Sequence, residues 1–437
     1  MKRTRIQNVA NYVIPTILSS CCFFLFTVVD GIFVGRGVNM DALGALNIAL
    51  PFVLTVNAFT MLVTIGGVTI TAIRLGRGDS EGANQAFMHS FSCMSLVSLL
   101  LCLGGICFSP RIALILGAGG SYFDYAAGYL FWYAVFLIPS QMSMLLQGFC
   151  RNDRAPRLVT AAVIVSTSIN IFLDWLFIFP LQKGVRGAAV ATGISQIVSL
   201  LIVLSHFLRG KGSLRIRKFT PDCALWRKII LRGLPEMAAQ FSTPITTFCM
   251  NYTLMRGLGQ GAVNAFAIIN YVTSFSGMVF FGTSEGLQPL FGRSYGSKNE
   301  KDLKYYFRTG ILINLTVCAV ILVLLVFIGG AIYRLFGADK AACGIIADAM
   351  PKFSWSFFVL SFNTIISAYL YSTKRTKEAV IINVCRGLLF NSLIISTFPL
   401  LFGGAVVWFT VGIAESLSLV IALALLIYSE RGGVKFR

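Results

Sequence analysis

The chain has 437 residues, of which 56% are hydrophobic and 12% charged, with a mean hydropathy of +0.79 and a net charge of +19. Soluble proteins carry about a quarter charged residues, and this chain has too few to cover a water-facing surface. That excludes a soluble globular enzyme and predicts an integral membrane protein.

A bilayer core of about 30 Å takes roughly 20 helical residues. The apolar runs predict twelve transmembrane helices, over 12–34, 45–73, 85–108, 123–148, 157–180, 187–208, 228–255, 264–291, 305–335, 345–372, 378–401 and 404–428. The basic stretch Met1–Arg5 precedes the first run with no small-residue cleavage site, so that run reads as a retained span. No stretch has the short alternation of an outer-membrane barrel, so the expected class is all-α.

The N-terminus, the even-to-odd connections and the C-terminus carry 27 of the 36 basic residues, eight of them between Arg209 and Arg232. The opposite connections carry Arg36, Arg111, Lys183, Arg186, Arg256, Arg334 and Lys340. This asymmetry predicts a multi-pass protein of the cytoplasmic membrane with both termini in the cytoplasm. The positive charge then reports topology, and no nucleic-acid partner is expected. The cysteines total eleven, an odd number, and most sit in apolar runs; there is no CxxC, and His89 and His206 are the only histidines. Neither a disulfide framework nor a zinc or iron centre is expected, and no cofactor.

The two halves repeat. Pro15 aligns with Pro235 at an offset of 220, in register with Arg36-Gly37 on Arg256-Gly257, Ala42 on Ala262, Gly66 on Gly286 and Gly76 on Gly296. Phe131 to Arg157 runs parallel to Phe353 to Ala379, and Gly193-Ile194 to Gly412-Ile413. The expected organisation is an N-terminal lobe of six helices over 1–208, a cytoplasmic linker over 209–232, and a C-terminal lobe of six over 233–437. An even number of spans per half makes them parallel repeats, related by a pseudo-twofold axis along the membrane normal.

Five carboxylates fall inside predicted spans: Asp30, Asp174, Glu236, Glu285 and Glu415. Each costs about 2.5–3.5 kcal/mol at a helix centre on insertion scales, so each needs a partner, water or a function. Asn170 precedes Asp174 by one turn and shares its face, and Thr192 adds a hydroxyl on the next helix. Four such oxygens suit a hard monovalent cation, and two neighbouring carboxylates suit a shared proton. The plainer alternative has Asp30 facing a wet cleft and Asp174 bonding neighbouring helices. Pro15 removes a backbone donor and can bend the first helix. In the second half, Arg386 requires a counter-charge, with Glu285 or Glu415 as a structural partner or the group as a second substrate or coupling site. The stretch 391–397, matching the region of Asp174, has no acid.

Several stretches carry a resemblance. Thr-Val-Val-Asp-Gly-Ile-Phe-Val-Gly-Arg-Gly (27–37) with Asp-Ala-Leu-Gly-Ala-Leu-Asn-Ile-Ala-Leu-Pro-Phe (41–52) resembles the first hairpin of the multidrug and toxic compound extrusion (MATE) family. So do Gln147 to Pro156, 169–179, 184–196, and Gly-Leu-Gln-Pro-Leu (286–290) with Ser-Tyr-Gly-Ser-Lys-Asn (294–299). The resemblance spans nearly the whole chain. It implies a V-shaped, two-lobe, twelve-helix exporter, and places cation or proton binding on Asp30, Asn170, Asp174 and Thr192. It also implies helix bending at Pro15 and a substrate cavity lined by Tyr129 and Gln147. The expected function is a secondary antiporter, monomeric in the lipid bilayer, that exports small amphipathic, often cationic compounds against protons or sodium. The alternatives are a flippase of lipid-linked oligosaccharides, which calls for a cationic cavity, and a membrane enzyme, which calls for a metal-diphosphate motif that the chain lacks. No Walker motif occurs, so no ATP drive is expected.

Overall fold

The computed structural model describes residues 2–38, 40–210, 212–335 and 340–430, and no strand occurs among them. Lys211, Arg431, Lys435 and Arg437, part of the basic asymmetry, lie outside the described residues. The first half comprises α1 (Lys2–Gly37), α2 (Met40–Gly76), α3 (Ser80–Ile115), α4 (Ser121–Val135), α5 (Leu137–Asn152), α6 (Pro156–Ile178) and α7 (Gly184–Leu208). Then follow α8 (Cys223–Gly257), α9 (Gln260–Gly296), α10 (Glu300–Leu335), α11 (Lys340–Ser372), α12 (Thr376–Val384), α13 (Asn391–Phe402) and α14 (Val407–Glu430). A π-helical turn, Cys385–Phe390, joins α12 to α13 within one span.

All twelve predicted runs are helical, with two differences of detail. The fourth is broken: α4 and α5 meet at 55° around Phe136, just before Pro139, whose missing N–H is harmless in a first helical turn. The Phe136 ring fills the space beside Gly193 of α7, where a Cβ would stand 2.0 Å from it. The seventh run lies in α8, which is less apolar than the other long helices. Glu236, Gln240, Ser242 and Asn251 stud its middle, and Arg227, Lys228 and Arg232 its start.

The chain divides into two compact units, Ala10–Gly233, and Met1–Val9 with Leu234–Arg437. In the first unit, the segment read as a linker is part of the fold. Leu214, Leu225 and Ile229 are buried in one apolar cluster with Phe87, Phe149 and Phe207. Asp153 holds this segment, accepting from the backbone N–H of Ser213 at 2.8 Å and of Leu214 at 3.3 Å, with His206 Nε2 at 3.0 Å. Asp222 N–H donates to His89 Nε2 at 2.9 Å, while His89 Nδ1 faces the Gln85 carbonyl at 2.7 Å. The two histidines thus fasten the two ends of the segment. Glycine lets the start of α8 touch α2 backbone to backbone. A Cβ at Gly233 would lie 1.8 Å from the Leu62 carbonyl oxygen, and one at Gly66 2.0 Å from that of Ile229.

In the second unit, Phe266, Phe280, Phe353, Phe357 and Trp408 form the centre of the apolar core. The first residues of the chain join it: Arg5 pairs with Asp302 at 2.6 Å, and Asn8 donates to the Tyr306 hydroxyl at 3.3 Å.

Candidate functional site

The buried stripe of α6 runs Val159, Ala162, Ser166, Asn170, Asp174, Ile178. Its ends are apolar and hold the helix in the core; its middle is polar. Near its far end, Ile178 packs with Val34 of α1, Ala42 of α2, and Val185 and Ala188 of α7. One turn back from Val34 is Asp30, one turn back from Ile178 is Asp174, and one turn on from Ala188 is Thr192. The apolar cluster therefore lids a layer of polar side chains drawn from three helices.

Within this layer Asp174 is fully buried and Asn170 nearly so, while Asp30 and Thr192 are half-buried. Asn170 Nδ2 donates to Thr192 Oγ1 at a long 3.4 Å. The two carboxylates lie within range of each other's charge, and Tyr129 lies within range of both. Both oxygens of Asp174, one of Asp30 and the amide oxygen of Asn170 are sealed from solvent and receive no well-aligned hydrogen bond, with the Asn170 side chain at the margin of hydrogen-bond range of Asp174. Four buried acceptors without a well-aligned donor is an arrangement a fold does not keep for stability, because their desolvation is poorly compensated. A cation or a proton placed among them supplies the missing positive partner, and oxygen donors are the right chemistry for either.

Pro15 lies on the same helix as Asp30. Its carbonyl accepts from Thr160 of α6 at 2.8 Å and from Ser19 at 2.9 Å, and Thr160 also lies 3.3 Å from the Pro156 carbonyl. The helix that carries Asn170 and Asp174 therefore grips α1 at its proline. The second unit repeats the device: Asn383 Nδ2 donates to the Pro235 carbonyl at 2.7 Å, and Asn383 Oδ1 accepts from Ser367 at 3.2 Å.

Tyr129 stacks on Tyr133, ring centroids 6.1 Å apart, and packs against the lid. Gln147 is turned elsewhere; its amide donates to Ser143 and Ser199, each at 3.2 Å, in a helix-packing network. Sequence reasoning passed over Gln141, which is buried and bonded to Thr60 through its side-chain oxygen. A glutamine in an otherwise apolar run was the available signal.

In the second unit the four singled-out charges gather around the π-helical turn. Arg386 Nε lies 3.3 Å from Glu415 Oε1, both side chains almost fully buried. The N–H is not aimed at that oxygen, so the contact is one of charge. Asn363 donates to the other Glu415 oxygen at 2.8 Å. Glu236, bonded to Gln240 at 3.4 Å, is within range of the charges of Glu285 and Arg386. This group contains its own cation, and the polar layer of the first unit does not.

Comparison with known proteins covers both halves of the chain. The model of the MatE family matches residues 15–176 and 235–395, one copy in each half. The multidrug export protein MepA of Staphylococcus haemolyticus is 24% identical over 426 residues, covering 96% of this chain and 93% of that protein. MepA of Staphylococcus aureus is 24% identical over 429 residues, with the same coverage. Among solved structures, a MATE protein in complex with MaL6 superposes with a TM-score of 0.91 at 20% identity, covering 96% of this chain and 95% of that one. An outward-facing multidrug resistance MATE family transporter of the MOP superfamily gives 0.90, also at 20% identity, covering 96% and 94%.

Proposed function

Because the chain belongs to the MatE family, we propose that it is a secondary active multidrug exporter, a monomeric antiporter of small amphipathic, often cationic compounds against protons or sodium. The observation that carries this reading is the set of four buried acceptor oxygens on Asp30, Asn170 and Asp174 that lack a well-aligned donor. With at least one carboxylate ionised, the layer attracts a cationic compound or a coupling ion, and the two compete for the same negative charge. Arrival of the ion from outside cancels that charge and releases the compound; return of the ion inward resets the carrier by alternating access. Each charge carried down 100 mV supplies about 2.3 kcal/mol. The grip of Thr160 on Pro15 supports a link between occupancy at Asp174 and bending of α1. The engagement of Arg386 with Glu415 speaks against a flippase, since it neutralises the one basic group among the singled-out charges within the spans. The basic asymmetry supports cytoplasmic termini.

The test is export by purified protein in vesicles with proton and sodium gradients imposed separately. Asp30→Asn and Asp174→Asn are each expected to abolish gradient-driven export while the protein stays folded, since Asn keeps the size and removes the charge. Coupled export that survives in Asp174→Asn but is lost in Glu236→Gln moves the coupling site to the second unit.

A further inference from the structure

Where α7 ends, the chain forms a basic pocket that the transport reading does not use. A cavity of about 310 Å³ opens there, lined by Arg209, Arg215 and Arg217 together with Leu208 and Ile216, and no carboxylate among the described residues lines it. Arg209 also borders a second cavity of about 330 Å³ next to it, beside Leu158 and Ser205. Asp153, which fastens this segment, is already occupied by two backbone amides and His206.

Arg209, Arg215 and Arg217 are exposed, but the backbone that carries Arg215 is fixed. Gly210 adopts a left-handed conformation, φ +61°, and the Arg215 guanidinium carbon lies 3.4 Å from where its Cβ would stand. Leu214 beside it is fully buried, and the backbone N–H of Arg215 donates to Asn84 at 2.7 Å. The backbone bearing the central guanidinium is therefore held on its N-terminal side before any ligand arrives, which lowers the cost of binding. One arginine after a helix end is explained by the helix dipole; three around one cavity are not.

The surroundings name the ligand class. Leu208 and Leu201, 69% and 61% exposed, lie on α7 just before the pocket, in a helix apolar enough to span a membrane. The pocket thus has guanidinium groups just past the end of a helix apolar enough to cross a membrane, and an exposed aliphatic strip on that helix leading away from them. Guanidinium forks match phosphate oxygens, and basic pockets at the ends of membrane helices attract anionic headgroups. We propose that Arg209, Arg215 and Arg217 form a binding site for the phosphate of an anionic phospholipid headgroup, with the acyl chains lying along Leu201 and Leu208.

The probes are dioleoyl phosphatidylglycerol, dioleoyl phosphatidylcholine and inorganic phosphate, titrated onto the delipidated full-length protein in detergent and read by native mass spectrometry. The wild type is expected to hold phosphatidylglycerol in clear preference to phosphatidylcholine. Arg209→Gln, Arg215→Gln and Arg217→Gln together are expected to weaken that binding about a hundred-fold, given a contribution of about five-fold per basic residue near the surface. A charge-matched control, Lys298→Gln, Lys301→Gln and Lys377→Gln, is expected to leave it unchanged. If the triple variant aggregates, the exposed single variant Arg217→Gln carries the test, with an expected loss of about five-fold. Equal retention of both lipids, or equal losses in the two triple variants, overturns the site. Displacement of phosphatidylglycerol by millimolar inorganic phosphate assigns the pocket to soluble phosphate and overturns the lipid.

Discussion

Arg386→Met asks whether the buried charges of the second unit are structural. Arg386 and Glu415 are 4% and 5% exposed, with 3.3 Å between Nε and Oε1. At that distance, with an effective dielectric of about 20, the attraction is about 5 kcal/mol. Methionine keeps much of the arginine's apolar stem but leaves Glu415 facing only the Asn363 amide. Breaking a buried pair from one side costs about 3–5 kcal/mol, mostly through the carboxylate left unpaired. The expected result is a fall of about 6 °C or more in the melting temperature of purified protein in detergent. Adding Glu415→Gln removes the stranded charge and keeps an acceptor for Asn363, so the double variant is expected to recover at least half of the loss. Full thermal stability in Arg386→Met with an altered set of exported compounds would refute the reasoning and give Arg386 a substrate role. Losses that simply add in the double variant would refute the pairing itself.

Three further outcomes are expected. His89→Phe removes the acceptor for the Asp222 N–H and should cost about 1–3 kcal/mol, read as faster proteolytic cleavage within 212–222 while the helices stay intact. Gly233→Ala forces a methyl onto the Leu62 carbonyl and should destabilise the first unit by about 1–3 kcal/mol, measured by thermal unfolding; a neutral result would mean that α2 and the start of α8 do not touch as described. Thr160→Val should cost only about 1 kcal/mol of stability but change the rate of coupled export; unchanged transport would separate the proline grip from the cycle.

The helices were legible because lipid demands long apolar runs, and the repeat because Pro15, Gly66 and Arg36 recur in register with Pro235, Gly286 and Arg256. The shared face of Asn170 and Asp174 was legible too, since it depends only on one helix's period. What crosses between helices was not. Glu285 and Glu415 were equal candidates for Arg386, because sequence gives no register between separate spans, and only packing around the π-helical turn separates them. The break at Phe136 was masked by continuous apolarity, although Pro139 marked it. The stretch 209–232 read as a linker from its charge. Leu214, Leu225 and Ile229 instead draw it into the core, and three anchors in a basic stretch are too sparse to register as a pattern.

The two proline grips differ in what happens when they open. Thr160 has one hydroxyl proton and two carbonyls in reach, Pro15 at 2.8 Å and Pro156 at 3.3 Å. A small rotation moves the proton from one to the other, so the Pro15 end can slip free without stranding a donor, and Ser19 remains on its carbonyl. The Asn383 amide is held at both ends, by Pro235 and by Ser367. Turning it away from Pro235 breaks two bonds together. Duplication thus left the protein with one joint that yields and one that is pinned, and the yielding joint is on the helix that carries Asp30.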